Sequence, residues 1–373
     1  NVEAIQNSEL IIVSVGTPTK SNGEIDLSQI ENVTSNLLSN INGYKLIVIK
    51  STLPITAVNI MKEQLSKKYK QGRDYDIVSN PEFLREGRAV FDFYNPDRIV
   101  IGGETKKSIE ILKNFYSPLI KNKLNVPDEI IVNKDDIPII ETNLPSAQMI
   151  KYGSNAFLAN KVSFINEIAQ ICEKVGANIN DVIYGMGIDP RIGSNYMQPG
   201  PGFGGPCLEK DLMALVELGN FYDLESTFMK AILKRNERQV ELILDKITSE
   251  IKQAGSLITV LGLSFKANTD DIRNSASIKL INLLLKKGYK VNSYDPKAKY
   301  SLQNENYLQF DNLYSSLNKS KCAVIMTEWD DFKNLNFIKI SKLMTSNIIL
   351  DMRNIIDTGN KNLSDFKYYS LGS

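Results

Sequence analysis

Hydrophobic and polar positions along the first third of the chain predict strands and helices in alternation. Short apolar runs rich in β-branched residues are typical of buried strands, and the segments between them carry apolar residues at helical spacing. This alternation favours a parallel α/β sheet. The predicted strands are Leu10–Val15, Lys45–Ile49, Tyr75–Ser79 and Arg98–Ile101, and the predicted helices are Asp26–Leu38 and Ile55–Tyr69.

The middle of the chain has a different pattern, with helical spacing and few breakers. One long helix is predicted over Ser146–Gly176, where the glycine is a typical helix stop. A loop rich in Gly and Pro, Gln198–Cys207, separates it from two further helical patterns over Leu208–Leu218 and Glu225–Gln253. We therefore expect a mostly helical middle domain.

The strand and helix alternation returns at Ser256. Four strands are predicted around one clear helix, Ala276–Lys287, and they indicate a second doubly wound domain. The predicted fold class is α/β, with two doubly wound Rossmann-like domains joined by a long central helix in an α-helical middle domain. The strands are Leu257–Leu261, Lys290–Tyr294, Ala323–Met326 and Ile348–Leu350, and the predicted domains span 1–140, 141–253 and 254–373.

Composition excludes several classes of function. The 373 residues contain 44 Lys and Arg against 43 Asp and Glu, so a net charge of +1 provides no general field for nucleic acid or an anionic membrane. No apolar stretch is long enough to span a bilayer, and three widely spaced cysteines do not make a disulfide framework. These features predict a cytoplasmic protein that binds neither nucleic acid nor membrane.

The chain contains no histidine. This absence excludes Ser-His-Asp and Cys-His catalytic arrangements and every metal site that has a histidine ligand. Proton transfers in an enzyme of this composition fall to Lys, Asp, Glu, Cys or water. We predict no metal.

Three loops follow predicted strands in the first domain: Gly16-Thr17-Pro18, Ser51-Thr52-Leu53-Pro54 and the segment Asn80–Gly87. Ligands of parallel sheets bind beyond the carboxyl ends of the strands, so these loops are expected to face one crevice. Each loop alone is equally compatible with an ordinary turn or cap. If the third loop is helical, Glu82 and Glu86 lie on the same face of that helix. They would then be either paired carboxylates at a reacting centre or part of a solvated acidic surface.

The glycine-rich loop Gly200–Cys207 contains a literal G-x-G-x-x-G sequence. No strand precedes it, so we reject a dinucleotide-binding interpretation. The glycines are expected to let the backbone approach a ligand closely.

Cys207 stands where this loop ends and the next helix begins. A helix amino terminus favours a thiolate, and Lys210 adds positive charge. Asp211 lies four residues further on, where its carboxylate could orient water beside a nucleophile. The alternative for a single cysteine is a small buried hydrophobe, which we accept for Cys172 and Cys322.

Two further groups of polar residues have both a functional and a structural interpretation. Lys151 and Asn155 lie one turn apart on the long helix, either as a surface pair or as an ammonium and amide that stabilise an oxyanion. In the last domain, Gly262–Lys266 ends a strand and Asn268–Ser275 leads into a helix. A helix start with nearby Lys and Arg can bind phosphate, whereas the structural interpretation is capping.

Taken together, these motifs resemble the UDP-glucose/GDP-mannose dehydrogenase family. The resemblance covers essentially the whole chain and is closest to the UDP-glucose branch, with the GDP-mannose branch as the near alternative and the UDP-N-acetylmannosamine branch less similar. It implies an NAD-binding domain, a central dimerisation domain and a UDP-sugar-binding domain. The matching segments occur in the family's order: Val15–Pro18, Ser51–Pro54, Asn80–Gly87 with Pro96–Gly102, Gly202–Asp211 and Gly262–Ser275.

The resemblance implies a four-electron oxidation of a sugar C6 alcohol to a carboxylate with two NAD. UDP-glucose would become UDP-glucuronate through a thiohemiacetal and a thioester on Cys207. Asp211 matches the residue that assists water or proton transfer, and Lys151 and Asn155 match those that steady the oxyanion. Thr52 and Glu86 match residues near the reacting carbon and its water.

The same resemblance implies binding residues. Arg191 matches an arginine that reaches the neighbouring subunit's substrate, which implies a homodimer. The implied substrate residues are Glu82, Phe83, Leu84, Arg85, Arg191, Phe203, Gly204, Lys266 and Arg353, and the implied cofactor residues are Thr17, Thr52, Glu86, Lys210 and Arg273.

One departure from the family pattern concerns the first domain. Family members begin with a strand and a Gly-x-Gly-x-x-Gly turn that binds the NAD pyrophosphate, and no such turn precedes Leu10. The expectation is a shortened NAD-binding domain. With a shortened domain, one alternative is a dimer that binds nucleotide sugars without turnover. A separate alternative is a GDP-mannose or UDP-N-acetylhexosamine 6-dehydrogenase, because these substrates differ from UDP-glucose in few contacts.

Overall fold

A computed structural model describes residues 2–18, 26–121, 123–124, 126–127, 130–132 and 137–372. The chain forms two compact units. The first comprises Asn1–Ser154 with Met213–Asp223, and the second comprises Asn155–Leu212 with Leu224–Ser373.

The first unit is built on a five-stranded sheet whose order follows the chain. Its pairs are parallel except for β3 and β4, which pair antiparallel at Ser79 and Gly102. The prediction of a wholly parallel sheet was therefore wrong at this pair. The connection between these strands holds only a short helix, which returns the chain at the same end of the sheet instead of crossing it. The strands are β1 (Leu10–Val13), β2 (Lys45–Ile49), β3 (Tyr75–Ser79), β4 (Ile99–Gly102) and β5 (Ile139–Thr142).

Helices cover both faces of this sheet. Alternate side chains of β2 point to opposite faces, so Ile47 and Ile49 enter one core with α2 and α3, while Leu46 and Val48 enter another with α5. Burial on both faces explains why β2 reads as an unbroken apolar run. The helices are α1 (Val2–Asn7), α2 (Ser28–Asn40), α3 (Ile55–Ser66), α4 (Ala89–Tyr94), α5 (Lys106–Ile120) and the start of α6 (Leu144–Val175).

The second unit contains a six-stranded parallel sheet of order β11-β10-β9-β6-β7-β8. This is the doubly wound order in which the first strand lies at the centre. The chain adds β7 and β8 on one side of β6 and then β9, β10 and β11 on the other, so the order of strand addition reverses between β6 and β9. The edge strands β8 and β11 were not predicted, because they are short and half-exposed and lack a buried apolar run. The strands are β6 (Leu257–Leu261), β7 (Lys290–Tyr294), β8 (Tyr307–Phe310), β9 (Cys322–Ile325), β10 (Ile348–Asp351) and β11 (Lys367–Ser370).

The helices of the second unit pack on this sheet and extend its core. Val240, Ile243 and Ile247 of α9 join Ile258 and Val260 of β6 in one cluster. No described helix is both long and apolar enough to cross a membrane. The remaining helices are α7 (Ile179–Gly187), α8 (Leu208–Phe221), α9 (Thr227–Glu250), α10 (Ala276–Lys286), α11 (Leu313–Ser316), α12 (Asp330–Lys333), α13 (Phe337–Leu343) and a short 3₁₀ helix, Lys361–Asp365.

Candidate active site

The glycines before Cys207 let the loop pack against its own protein. A Cβ atom on Gly202 would lie 2.6 Å from Oδ1 of Asn236, and one on Gly205 would lie 2.9 Å from the ring of Phe265. Both glycines also have positive φ, 104° and 80°. These two glycines therefore allow close packing within the second unit, and the expectation that the loop approaches a ligand closely stays a prediction.

Polar side chains of α9 fix the backbone of this loop. Asn236 accepts a 2.8 Å hydrogen bond from the backbone NH of Phe203 and donates a 3.0 Å bond to its carbonyl oxygen. Gln239, one turn further, donates a 2.7 Å bond to the carbonyl oxygen of Gly200. Neither residue was predicted from the sequence, although polar side chains three positions apart on an apolar helix face are a usable signal.

The same loop meets the segment before α10. The backbone NH of Gly205 donates a 3.0 Å hydrogen bond to the carbonyl oxygen of Arg273, and Nδ2 of Asn274 donates a 3.3 Å bond to that of Gly205. Phe203 itself is buried, and its assignment to the substrate stays a prediction. The structure therefore joins two of the predicted motifs, Gly202–Asp211 and Gly262–Ser275.

Cys207 is exposed and directly precedes α8, as predicted. The backbone NH of Asp211 donates a 2.9 Å hydrogen bond to the carbonyl oxygen of Cys207, which closes the first helical turn. Cys207 therefore occupies the amino terminus of α8, where the sequence placed it. Cys172 and Cys322 are buried, which fits their structural interpretation.

The carboxylate of Asp211 is held on both oxygens. Lys210 Nζ lies 2.9 Å from Oδ1, and Asn155 Nδ2 donates a 2.6 Å hydrogen bond to Oδ2. Asp211 is 1% exposed. The ammonium of Lys210 therefore neutralises this carboxylate, whereas we had expected it to act on Cys207.

Lys151 lies against the Asn80–Gly87 loop. It is only 5% exposed, so the interpretation as a surface pair with Asn155 was wrong. Its Nζ lies 3.1 Å from Oε1 of Glu82 and 5.3 Å from the centre of the Phe83 ring. The backbone NH of Leu84 donates a 2.6 Å bond to the second carboxylate oxygen of Glu82.

The Asn80–Gly87 loop is irregular, so Glu82 and Glu86 do not share a helical face. Leu84 is exposed at its tip. Arg85 forms a two-point ion pair with Asp92 of α4, with Nη2 2.6 Å from Oδ1 and Nε 2.9 Å from Oδ2. The guanidinium of Arg85 thus tethers the loop to the following helix.

A half-buried lysine, Lys50, lies at the start of the segment that follows β2. Lys50 Nζ donates hydrogen bonds to Oδ1 of Asn80 (3.0 Å) and to the hydroxyl of Tyr116 (3.1 Å). It lines a cavity of about 240 Å³ together with Glu82 and Phe83. Burial is the largest effect on its pKa and lowers it to about 8. Lys50 was not predicted as a site residue, because a lysine after a strand has no distinguishing pattern.

The loops after β1 and β2 meet at the carboxyl edge of the sheet. Thr17 Oγ1 donates a 3.3 Å hydrogen bond to the carbonyl oxygen of Thr52, and Ser51 Oγ donates a 2.6 Å bond to that of Val15. The two predicted cofactor threonines are therefore neighbours.

The residues at this edge fit the nicotinamide cofactor that the family resemblance implies. Gln148 of α6 is buried, and its Nε2 donates a 3.1 Å bond to the carbonyl oxygen of Leu53. Its Oε1 atom finds no hydrogen-bond partner among the described residues. A buried acceptor without a donor is costly, and an amide donor of a bound group would satisfy it.

In the last domain the predicted cations gather around Phe265. Arg353 Nη2 donates a 3.1 Å hydrogen bond to the carbonyl oxygen of Phe265. Its Nε donates a 2.9 Å hydrogen bond to the carbonyl oxygen of Met326 and lies 3.1 Å from Oε2 of Glu328. Lys266 Nζ lies 5.6 Å from the ring centre of Phe265. Both residues therefore contact Phe265, and their assignment to the substrate stays a prediction.

Two other predicted arginines lie on the surface with adjacent carboxylates. Arg273 pairs with Asp271, with Nε 2.8 Å from Oδ2. Arg191 pairs with Asp189, with Nε 3.0 Å from Oδ1, and its side chain is 87% exposed. Their roles toward NAD and toward a neighbouring subunit stay predictions.

Asp295, which the sequence analysis did not identify as a site residue, organises the loop after β6. Its Oδ2 accepts hydrogen bonds from the backbone NH of Leu263 (2.7 Å) and Ser264 (3.1 Å) and from Trp329 Nε1 (3.2 Å). This places a buried carboxylate at the reversal point of the sheet. In the described part of the chain, no group of three Cys, Asp or Glu side chains is arranged to hold a metal ion.

Comparison with known families gives three matches in chain order. Residues 1–120 match the NAD binding domain of the UDP-glucose/GDP-mannose dehydrogenase family, residues 145–238 its central domain and residues 259–358 its UDP binding domain. NAD is thus the cofactor of the first domain. That match begins at residue 1 and does not support the expectation of a shortened domain.

Similar proteins agree with these matches. The chain is 41% identical to UDP-glucose 6-dehydrogenase of Rickettsia bellii over 100% of this chain and 83% of the relative. It is 36% identical to UDP-glucose 6-dehydrogenase TuaD of Bacillus subtilis over 99% of this chain and 77% of the relative. A UDP-glucose dehydrogenase structure from Pyrobaculum islandicum superposes with a TM-score of 0.84 at 30% identity, covering 99% of this chain and 81% of that one. The predicted fold class and family are confirmed, and the chain belongs to the UDP-glucose/GDP-mannose dehydrogenase family.

Proposed function

We propose that this chain is an NAD-dependent UDP-glucose 6-dehydrogenase that converts the C6 alcohol of UDP-glucose into the carboxylate of UDP-glucuronate. One observation carries the proposal. An exposed thiol, Cys207, stands at the start of α8, one turn before a buried carboxylate, Asp211, that Lys210 and Asn155 hold in place. The named relatives support UDP-glucose as the sugar nucleotide.

NAD supplies the hydride acceptor for both oxidations when it is bound. Thr17 and Thr52 would line its nicotinamide end, where the unpartnered oxygen of Gln148 provides an acceptor. Glu86, Lys210 and Arg273 are the other residues of this chain that the family resemblance assigns to the cofactor.

Cys207 provides the covalent step. After the alcohol loses a hydride and a proton, the thiolate attacks the aldehyde carbon, and the resulting oxyanion takes a proton to give a thiohemiacetal. Loss of a second hydride and that proton gives a thioester. Water then attacks the thioester carbonyl, the carbon–sulfur bond breaks, and the thiolate leaves as the carboxylate forms.

The family resemblance assigns Lys151 and Asn155 of α6 to stabilisation of the oxyanions in this scheme. Lys151 is buried with Glu82, so its ammonium is oriented by a carboxylate before substrate binds. Asn155 holds Asp211 through its amide nitrogen. Preorganised donors of this kind reduce the energy of charge development in the transition state.

The family resemblance assigns two groups of residues to the substrate. One group is Glu82, Phe83, Leu84 and Arg85 of the Asn80–Gly87 loop, and the other is Phe203, Gly204, Lys266 and Arg353. Lys266 and Arg353 provide two cations for the diphosphate near the end of β6.

We also propose that two copies pair through α6. Phe157 is 63% exposed, and Phe164, Ile171 and Val175 are exposed on the same side of the helix, at spacings of seven, seven and four residues. Such an apolar stripe is typical of a helix that packs against a partner. Arg191, on the surface of the same unit, would then be available to a neighbouring subunit. The composition supports a cytoplasmic location.

The test is NADH formation by the purified chain with NAD and UDP-glucose, GDP-mannose or UDP-N-acetylmannosamine. We expect two NADH per UDP-glucose, loss of turnover in Cys207→Ser and retention in the matched control Cys172→Ala. Turnover with another sugar nucleotide alone would move the assignment to that branch of the family. Binding of UDP-glucose by calorimetry without NADH from any substrate would favour the non-catalytic alternative.

A further inference from the structure

Lys50 lies at the carboxyl end of β2 and joins three elements of the first unit. Its ammonium contacts Asn80 at the end of β3 and Tyr116 on α5. The hydroxyl of Tyr116 donates a 2.6 Å hydrogen bond to the same amide oxygen of Asn80. Lys50, Asn80 and Tyr116 therefore form a closed triangle of polar atoms inside the unit, which we call the Lys50 triangle.

The Lys50 triangle fixes the first residue of the Asn80–Gly87 loop. Asn80 is buried and uses its amide nitrogen on the carbonyl oxygen of Val100 in β4 (2.8 Å), which leaves its oxygen for Lys50 and Tyr116. Glu82 follows two residues later and carries the 3.1 Å ion pair to Lys151. A shift of Asn80 would be transmitted through this short segment to Glu82.

The charges around Lys50 also link it electrostatically to the Glu82–Lys151 ion pair. Both hydrogen-bond acceptors of its ammonium are neutral groups. Burial lowers the pKa of Lys50 to about 8, the charge of Glu82 opposes that shift, and the charge of Lys151 adds to it. Other charged groups on the same cavity are Arg85, Asp92, Asp97 and Arg98.

We propose that Lys50 is a positioning residue for the reaction, whose ammonium holds Asn80 and thereby sets the place of the Glu82–Lys151 pair. The inference rests on the proposed function, because it assumes that Lys151 serves the oxidation. It assigns a role to a residue outside the thiol chemistry. When the ammonium loses its proton, the hydrogen bonds to Asn80 and Tyr116 weaken and the loop loses its support.

The decisive measurement is a double-mutant cycle on kcat with Lys50→Met, Glu82→Gln and the double variant, because coupled residues have non-additive effects. We expect Lys50→Met to lower kcat on the order of tenfold, through misplacement of the pair, and to have much less effect once Glu82 is changed. Lys62→Met, which alters a partly exposed lysine of the same unit paired with Glu104, serves as the control. Effects of Lys50→Met and Glu82→Gln that multiply independently would overturn the inference.

A pH profile provides a second readout and guards against misfolding of Lys50→Met. In the unaltered chain, kcat should fall as pH rises through about 8. Lys50→Arg keeps its charge there, so this decline should disappear while activity at lower pH is retained. A decline unchanged in Lys50→Arg contradicts the inference. Absence of NADH from the unaltered chain instead overturns the proposed function, and the Lys50 inference with it.

Discussion

Asn155 Nδ2 donates a 2.6 Å hydrogen bond to Oδ2 of Asp211, and both side chains are buried. The helix that carries Asn155 and the helix that begins after Cys207 are thus connected by a charge-assisted bond. Lys210 occupies the other carboxylate oxygen. The arrangement fixes a carboxylate one turn from the exposed thiol.

Asn155→Ala should reduce both stability and turnover. The change removes the donor to a buried carboxylate oxygen, which costs about 1–3 kcal/mol in free energy of unfolding. We expect kcat to fall roughly a hundredfold, as for loss of one oxyanion donor. Urea unfolding and NADH kinetics measure the two effects. Asn36→Ala, on the exposed side of α2, should leave both values near those of the unaltered chain.

Iodoacetamide should modify Cys207 far faster than the other two cysteines. Cys207 is exposed at a helix amino terminus, whereas Cys172 and Cys322 are buried and burial raises the pKa of the Cys322 thiol. Peptide mass spectrometry after timed labelling gives the rate at each site. Equal rates at Cys207 and Cys172 would rule out an activated thiol.

Gly205→Ala should unfold the loop before Cys207. Its Cβ atom would lie 2.9 Å from the Phe265 ring, and the positive φ of 80° disfavours alanine in addition. Gly255→Ala is a matched control, since φ is 76° there but nothing lies within 4 Å. We expect Gly255→Ala to lower the free energy of unfolding by about 1 kcal/mol through backbone strain alone. Gly205→Ala should lower the free energy of unfolding by more than this and should also abolish activity. Thermal unfolding separates the two.

Arg85→Met should reduce stability more at neutral than at acidic pH. Burial raises the pKa of Asp92, but hydrogen bonds from Arg85 outweigh it, so the pKa is lowered in the folded state. A lowered carboxyl pKa contributes stability above the unfolded value of about 3.9, and that stability is lost as pH falls through the folded value. Half of the Arg85 side chain is exposed, so we expect up to about 1 kcal/mol.

Urea unfolding at neutral pH and near pH 3 tests this dependence. A difference between Arg85→Met and the unaltered chain that is the same at both pH values would contradict it. Arg73→Met removes an ion pair with Asp74 on a fully exposed arginine and should change little.

Phe164→Glu should separate a pair of copies that meets through α6. A charge in the centre of the apolar stripe has no place in a packed interface. Light scattering coupled to gel filtration measures the mass, with Phe221→Glu on exposed α8 as the control. A monomeric mass for the unaltered chain, or an unchanged dimeric mass for Phe164→Glu, would count against this interface.

The sequence predicted the central strands better than the edges. β2, β3, β6 and β7 have the predicted bounds. β2 and β6 are buried on both faces and are nearly continuous apolar runs. β3 and β7 contain polar residues, and the turn residues Asn80-Pro81 and Asp295-Pro296 mark their ends. β5, β8 and β11 were missed, since short strands with exposed positions lack that pattern. The antiparallel pairing of β3 with β4 depends on the path of a loop and has no local signal.

Site residues could be predicted from the sequence where a reactive side chain lies at the start or end of a helix or strand. Cys207 was placed at a helix start because glycines end before it and helical spacing begins after it. The partners of Lys151 and Asp211 were not predicted as pairs, since Glu82 and Asn155 are far from them in sequence. The Lys50 triangle likewise depends on tertiary packing.

The side-chain amide of Asn236 accepts a hydrogen bond from the backbone NH of Phe203 and donates one to its carbonyl oxygen. It thus pairs with both backbone groups of one residue, as the backbone of a neighbouring β-strand does. The shape of that loop is therefore encoded in the rotational register of α9. One residue inserted into α9 ahead of Asn236 would turn this amide by about 100° around the helix axis. The loop would then lose its hydrogen bonds to Asn236, and Cys207 would be displaced although every residue of its own loop and helix is unchanged. The residues required for a correctly placed thiol therefore extend beyond the motif that contains Cys207.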